Sequence, residues 1–529
     1  MPSKIDSQRG KQQITAKKEY INIVIASFAV ILFAAVIALS LNARFENKEE
    51  NEALIKENIE SNDEISEVQE KVNRLRYWSV VLVKWHNRGH LRTMDRIFER
   101  LQYKFVNASN GDDWDILWSI EQPFIASPSE DQTLFANITK IKLRVEQKVN
   151  HFPGIAALVS KSFMNEINVD LPYILPSFVM PQDLERLNKF IKRYPNIKLV
   201  EKNLHNRGVQ IMPREEILEE ESEYFYQQFM DDHFLIDGHA FDFGVFVLIT
   251  SFNPLRIYRY DADILLRFCK KPYHPFDPND FDRYVVRRGC HNAYDMNSFE
   301  KIYRRYGYSF IKIFEIIIKD KGHDVVEFWR KIDDAIVKIV KNTESYVLEG
   351  LEKWNMSSHH SFEFVRFDFL IDNKMNPYVM EVNMSPNLTP ADKRYEENCN
   401  LYEPMVYNVV QMIGGASYFE FMARFNNSDI IVANRKNIAV GLESCLKNDC
   451  YRKCSLNECK ICLPCVDDFN RYQMREAFRE FSYMNNFRRL FPTKLHYYDQ
   501  NLIESMTENN QISINWYRAQ CENNEKWCF

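Results

Sequence analysis

Glycine is scarce in this chain, with 14 among 529 residues, well below the roughly 7% of an average protein. Neither G-x-G-x-x-G nor G-x-x-x-x-G-K-[ST] occurs, which excludes the glycine-rich phosphate loops of dinucleotide-binding and P-loop folds. An excess of positive charge is also missing: 68 Lys and Arg face 74 Asp and Glu, for a net charge of -6. Nucleic-acid binding by the whole surface is thereby excluded, though a local basic patch is not. Eleven cysteines in so long a chain are too few for a disulfide-only scaffold. What is present is an ordinary globular mixture, 45% hydrophobic, 27% charged and 14% aromatic. At roughly 150 residues per domain, the length suggests about three to four domains.

The composition is uneven along the chain. Residues 1–20 form a short polar tail, and Ile21 to Ala43 then runs without a charge. That run is long enough to cross a bilayer core as a helix. A cleavable signal peptide is the alternative, although its apolar core spans only about 7–15 residues. Lys4, Arg9, Lys11, Lys17 and Lys18 precede the run, while Arg44 and Lys48 follow it among Glu46, Glu49 and Glu50. The positive-inside rule therefore predicts a cytosolic N-terminus, with the rest of the chain lumenal or extracellular. Over residues 44–76, Ile65, Val68, Val72 and Leu75 make one narrow apolar helical stripe. It reads either as a short coiled-coil stalk pairing two anchored chains or as a solvated helical linker.

From 77 to 430 the chain reads as a globular body, and 431–529 as a cysteine-rich C-terminal region. IKLVEK, GVQIM, EYFYQQFM, FDFGVFVLIT and LRIYRYDADILLRF are strand-like, being rich in β-branched and aromatic residues between turn signals. Helical patterns follow over roughly 297–321 and 323–353, then the strands FEFVRFDFLID and PYVMEVN, then a helix near 401–424. Strands alternating with long helices indicate an α/β or α+β core. No internal repeat is present.

The stretch Asp368 to Asn383 is the most informative. Asp372-Asn373-Lys374-Met375-Asn376-Pro377 is a turn composition joining two strands. A turn centred between Lys374 and Met375 sets Asp368 opposite Glu381, and alternation puts Asn383 and Val379 on the Glu381 face. Like charges directly opposed on a sheet repel, and a hard cation relieves that repulsion. Two carboxylates and an amide oxygen suit Mg²⁺, which keeps water and nucleotide phosphates as its other ligands. An exposed acid pair is the alternative, but the flanking strands are apolar enough to be buried, and a buried acid pair needs a partner.

FEFVRFDFLIDNKMNPYVMEVNMSPNL resembles the signature hairpin of the tubulin tyrosine ligase-like enzymes, which have an ATP-grasp fold. Four more blocks agree in order and spacing: VNHFPGIAALVSKSFM, LPSFVMPQDLERL, VEKNLHNRGVQI, and FLIDGHAFDFGVFVLITSFNPLRIYRYDADILLRFCKKPY. The resemblance covers about residues 145–425. It implies ATP-dependent ligation of an amino acid, usually glutamate, glycine or tyrosine, to a protein acceptor such as an acidic tubulin tail. The acceptor carboxylate becomes an acyl phosphate, which the incoming amine displaces. Carried over by position, Asp368, Glu381 and Asn383 are expected to bind Mg²⁺, and Lys202 to contact the ATP phosphates. Asn206-Arg207-Gly208 is expected to form the covering loop, Gln227 to lie near adenine, and Asp242 to belong to the nucleotide site. Arg267 is expected to neutralise charge at the reacting group.

The chain departs from the family at two places. The motif K-F-D-x-R is here Ala240-Phe241-Asp242-Phe243-Gly244, without its lysine and arginine, and H-L-T-N has no clear counterpart around Arg288-Gly289-Cys290-His291-Asn292. Losing one charge-stabilising donor lowers rates by about 10²–10³, so an inactive ligase that retains ATP binding is the alternative. The basic set Arg283, Arg287, Arg288, Lys301, Arg304 and Arg305 is either a docking groove for an acidic tail or a solvated helix face.

Cys445, Cys450, Cys454, Cys459, Cys462 and Cys465, with Cys521 and Cys528, form an even set suited to disulfides in an oxidising compartment. In the cytosol the same thiols would favour zinc. Glycosylation sequons stand at Asn107, Asn137, Asn355, Asn383, Asn387 and Asn426.

Overall fold

The computed structural model describes residues 76–79, 91–106, 114–120, 122–124, 143, 147–203, 209–212, 224–287, 289–388, 395–415 and 433–529. The apolar run 21–43, the 44–75 stretch, Asn206-Arg207-Gly208, Arg288 and the sequons at Asn107, Asn137 and Asn426 lie outside them. Among the described residues no helix is long and apolar enough to cross a membrane.

Fifteen strands form three sheets among the described residues. A parallel sheet in the order β2-β1-β3-β4 joins β1 (Arg76–Ser79), β2 (Tyr103–Val106), β3 (Ile116–Leu117) and β4 (Lys148–Val149). An antiparallel sheet in the order β5-β8-β6-β7 joins β5 (Ser177–Val179), β6 (Leu199–Asn203), β7 (Val209–Met212) and β8 (Tyr224–Gln228). The central sheet contains β9 (Phe241–Phe252), β10 (Leu255–Tyr260), β11 (Leu265–Phe268), β12 (His291–Asn292), β13 (Glu363–Ile371), β14 (Pro377–Met384) and β15 (Phe487–Phe491).

β9 is the spine of this sheet. One of its edges pairs with β13, and the other is shared between β11 near Asp242 and β10 near Leu248. All twelve of its residues are buried, the pattern of a strand covered on both faces. Phe243, Val245, Val247 and Ile249 join one large core with the helices Phe310–Asp320 and Val325–Lys353. Asp324 starts the longer helix by accepting from the backbone N–H groups of Val326 (2.8 Å) and Glu327 (3.1 Å), satisfying orphan donors of its first turn. Phe246 and Leu248 face the other way, into a second core with Phe364, with Met405, Val406 and Val409 of the helix Tyr395–Met412, and with the helix Arg92–Arg100.

The helical pattern expected over 297–321 is two helices, Asn297–Tyr306 and Phe310–Asp320, because Gly307 adopts φ 67 and caps the first. That left-handed conformation suits glycine and ends helices. The helix expected near 401–424 is described from Tyr395 to Met412, and Gly414 at φ 76 follows it. LRIYRYDADILLRF, expected as one strand, divides into β10 and β11.

After residue 430, β15 extends the central sheet along β10, and Trp516, Tyr517 and Trp527 pack into the large core. Four disulfides tie this stretch: Cys445–Cys462, Cys450–Cys459, Cys454–Cys465 and Cys521–Cys528. The clustered sulfurs of Cys445, Cys450 and Cys462 are thereby spent as half-cystines, leaving no thiolates there for zinc.

Candidate active site

The β13–β14 hairpin has the register its sequence suggests, with Asp368 paired to Glu381. One expectation about it fails. The ladder shifts between Asp368 and Phe369, whose partner is Val379 rather than Met380. This extra residue is a β-bulge, and it reverses the alternation. Val379 therefore points into the large core with Val382, while Glu381 and Asn383 line a cavity on the opposite face of the sheet. The bulge separates the acid and amide from the apolar residues that hold the strand down.

The cavity measures about 950 Å³, within the 300–1,000 Å³ usual for small-molecule sites. It lies between the central and β5–β8 sheets. Lys202 of β6 and Gln227 of β8 line one side, and Asp242, Arg267, Arg366, Glu381 and Asn383 line the other. Most of the described sequence-nominated residues thus converge. The Lys202 Nζ donates to Gln227 Oε1 at 2.7 Å, and Gln227 Nε2 donates to Ser177 Oγ at 2.9 Å. Burial, helped by the neighbouring Lys161 ammonium, pushes Lys202 down to about 8 against the pull of Glu381.

Opposite, Arg267 and Asp242 are cross-strand partners on β11 and β9. Arg267 grips Asp242 with Nε at 2.9 Å and Nη2 at 2.6 Å, and Nη2 also reaches Asp368 Oδ2 at 3.1 Å. Burial drives the Asp242 carboxyl upward and Asp368 adds to this, while Arg267 opposes it. Asp368 is fully buried. It accepts two bonds from Arg366, at 2.6 and 2.8 Å, and one from Asn383 Nδ2 at 2.8 Å. Asn383 Nδ2 also donates to Glu381 Oε1 at 3.1 Å.

Lys161 and Arg366 were not nominated by sequence reasoning. Lys161 Nζ binds Glu381 Oε2 at 2.8 Å. Burial raises the Glu381 carboxyl, but Lys161, Asn383 and Lys202 outweigh it and hold it at about 2. Lys161 stands inside the block VNHFPGIAALVSKSFM and Arg366 two residues before Asp368, yet no spacing rule tied either to its acid. The free thiols of Cys269 and Cys290 also line the cavity, and burial pushes Cys269 up to about 12.

At the cavity floor Ser385, at φ 44, sets its hydroxyl 3.1 Å from His151 Nε2, and His151 Nδ1 meets Glu363 Oε1 at 2.8 Å. Both His151 and Glu363 are fully buried. The network ties the start of β13 to the loop after β14.

These donors bear on a divalent cation. Glu381 and Asn383 line the cavity, and the Asn383 amide nitrogen is committed to acids, so its oxygen is the atom left for a metal. One carboxylate, one amide oxygen, phosphates and water make an acceptable Mg²⁺ shell. Asp368 fits less directly, since both of its oxygens already accept from guanidinium groups. Asn383 is bonded to both acids, an arrangement incompatible with a glycan at that sequon. Asn355 and Asn387 are exposed. In the basic set, Arg283 pairs with Asp280, Arg287 with Asp282 and Arg304 with Glu300.

A mixed α/β body with a charged cleft between two sheets is the class of protein seen here. The family profile described as "Tubulin-tyrosine ligase family" matches residues 139–418, more than half of the chain. The chain belongs to the tubulin-tyrosine ligase family, whose members are ligases. It is 28% identical over 450 residues to "Probable tubulin polyglutamylase ttll-15" of Caenorhabditis elegans, covering 83% of this chain and 84% of the relative. "Tubulin polyglutamylase TTLL6" of Mus musculus is 24% identical over 58% of this chain and 38% of its own length. "Tubulin monoglutamylase TTLL4" of Mus musculus is 28% identical over 46% and 22%. The chain thus spans most of the nematode relative but well under half of the two mouse proteins.

Proposed function

We propose that this protein is an ATP-grasp ligase that joins glutamate to the acidic tail of a protein acceptor, with tubulin as the first acceptor to test. The observation that carries the reading is the convergence of Lys202, Gln227, Asp242, Arg267, Glu381 and Asn383 on one cavity, in a chain of this family. In the reaction, a carboxylate oxygen of the acceptor bonds to the terminal phosphorus of ATP as the bond to ADP breaks. The amine of glutamate then attacks the acyl carbon, phosphate leaves, and the nitrogen gives up a proton. Lys202 binds phosphate oxygens, and Gln227 holds Lys202 in place beside the base. Arg267, fixed by Asp242, neutralises the reacting group without having to reorganise. Glu381 and Asn383 are the residues that would hold Mg²⁺, which when bound supplies charge neutralisation at the phosphates. Arg207 and Gly208 belong to the loop proposed to cover them.

The test is incubation of the protein with Mg·ATP, labelled glutamate and tubulin. Labelled tubulin is the expected product; tight ATP binding without incorporation would replace this reading with that of an inactive, nucleotide-binding relative.

A second element concerns place. We propose that residues 21–43 anchor the chain with the body on the oxidising side of the membrane; on this reading the natural acceptor is an acidic protein of that compartment, and tubulin serves only as a test substrate. The four disulfides favour this. Glycosidase treatment of the cell-made protein should sharpen its mobility; an unchanged band argues for a cytosolic body.

A further inference from the structure

Gly244 and Arg366 share one space. Gly244 pairs with Asp368 across β9 and β13, and Arg366 stands two residues from Asp368 on the same face. A Cβ built on Gly244 would lie 3.0 Å from Arg366 Cδ, 3.1 Å from Leu265 Cβ and 3.3 Å from Asp368 Oδ1. A side chain at 244 would therefore crowd the present Arg366, which would have to give by a few tenths of an ångström. The Arg366 side chain is 7% exposed, yet it lines the cavity. Its Nε and Nη2 engage the two oxygens of Asp368, leaving Nη1 as the donor available to a bound group. Asp368 is enclosed by Arg366, Arg267 and Asn383, so its charge serves to hold guanidinium groups. A cation fixed beforehand by a buried carboxylate stabilises an anion without reorganising.

We propose that Arg366, seated in the space left by Gly244 and held by Asp368, contacts the terminal phosphate of the nucleotide and the acyl phosphate formed from it. The cation absent at 244 is thereby supplied from the neighbouring strand. This rests on the ligase reading. As the new oxygen–phosphorus bond forms and the bond to ADP breaks, Arg366 keeps its proton and acts only through hydrogen bonds.

The test compares the affinities of the full-length protein for Mg·ATP and for AMP in the unmodified protein, Arg366→Gly, and the exchange Gly244→Arg/Arg366→Gly. A charge-assisted hydrogen bond predicts that Arg366→Gly weakens ATP binding by about tenfold or more while AMP stays within about twofold. The exchange should recover ATP affinity to within about threefold of the unmodified protein. Unchanged ATP affinity in Arg366→Gly, ATP and AMP affinities falling together, or no recovery in the exchange would each overturn the proposal. Should Arg366→Gly fail to fold, Arg366→Lys replaces it. Lysine keeps the charge but not the fork, so a loss confined to ATP is again the supporting result and a parallel loss of AMP the overturning one. An unmodified protein that binds no ATP sinks the function reading together with this one. Absent ligation alongside the expected binding pattern sinks the ligation reading alone.

Discussion

Two ion clusters built on the central sheet differ in what surrounds them. Around Glu480, Arg256 donates from β10 at 2.9 Å, Tyr258 at 2.7 Å and Thr250 at 3.0 Å. The Arg256 and Glu480 side chains are 3% and 2% exposed. Around Asp368 the donors are Arg366, Arg267 and Asn383, but Arg267 is 28% exposed and Glu381 24%. The first cluster is closed and every group in it faces protein. The second opens on a cavity, so its donors can change partners when an anion arrives. The same chemistry is structural in one place and available for reaction in the other, and access to the cavity makes the difference.

The sharpest way to break that contrast is Glu480→Ala. It strands a buried arginine, and the expected loss is about 3–5 kcal/mol of unfolding free energy in urea, the usual scale for breaking one partner of a buried pair. Nucleotide affinity should hold until the chain unfolds. A loss under about 1 kcal/mol would remove the distinction between the clusters.

Next is the Cys450→Ser/Cys459→Ser pair, which opens a bridge of sequence separation 9. Loop entropy predicts a fall of about 2–3 kcal/mol, again with ATP binding retained below the transition.

Glu381→Gln should do the reverse. Its stability change is expected to stay within about 1 kcal/mol, because the group is partly solvated. ATP affinity in Mg²⁺ should fall about tenfold or more while affinity in a chelator stays the same. Equal losses with and without the metal would remove Glu381 from the cation site.

The smallest effect is a pH dependence. Lys202 is lowered to about 8, so the unfolded chain holds more protons at this position between about 8 and 10.5. Stability from this residue therefore rises as pH climbs through that window. Phosphate binding needs the ammonium, so ATP affinity should fall above about pH 8, and this slope should flatten in Lys202→Arg. An unchanged slope in that variant would assign the titration elsewhere. Glu381 gives a slope of the same sign in a lower window: its contribution is present above its ordinary 4.5 and disappears as pH falls through about 2.

The acidic hairpin was legible because its residues lie close together in sequence, whereas Lys202, Gln227, Asp242 and Arg267 were reached only through the family resemblance. The turn between Asp372 and Pro377 and the alternation beside it placed Asp368 opposite Glu381 without any knowledge of the rest. The bulge that turns Val379 to the core was not legible, since an extra residue in a strand has no composition of its own. Lys161 was hidden for another reason. It pairs with an acid 220 positions away in the numbering, and only packing of the helix Ala156–Val159, just before it, against β14 brings the two together. The departures at Ala240 and Gly244 looked like two lost cations. At Gly244 the place where a side chain would begin lies 3.0 Å from Arg366 Cδ.

The sequence alone determined most of the strands, the acidic hairpin with Asp368 opposite Glu381, the even number of clustered cysteines and the exclusion of glycine-rich phosphate loops. Each follows from local periodicity, turn chemistry or composition. Tertiary structure alone decided which cation meets which acid, that Asp368 is enclosed while Glu381 and Asn383 remain open, and that β15 returns from the cysteine-rich region to the edge of the central sheet. Those outcomes depend on segments hundreds of residues apart competing for the same few ångströms, and only the packed chain settles that competition.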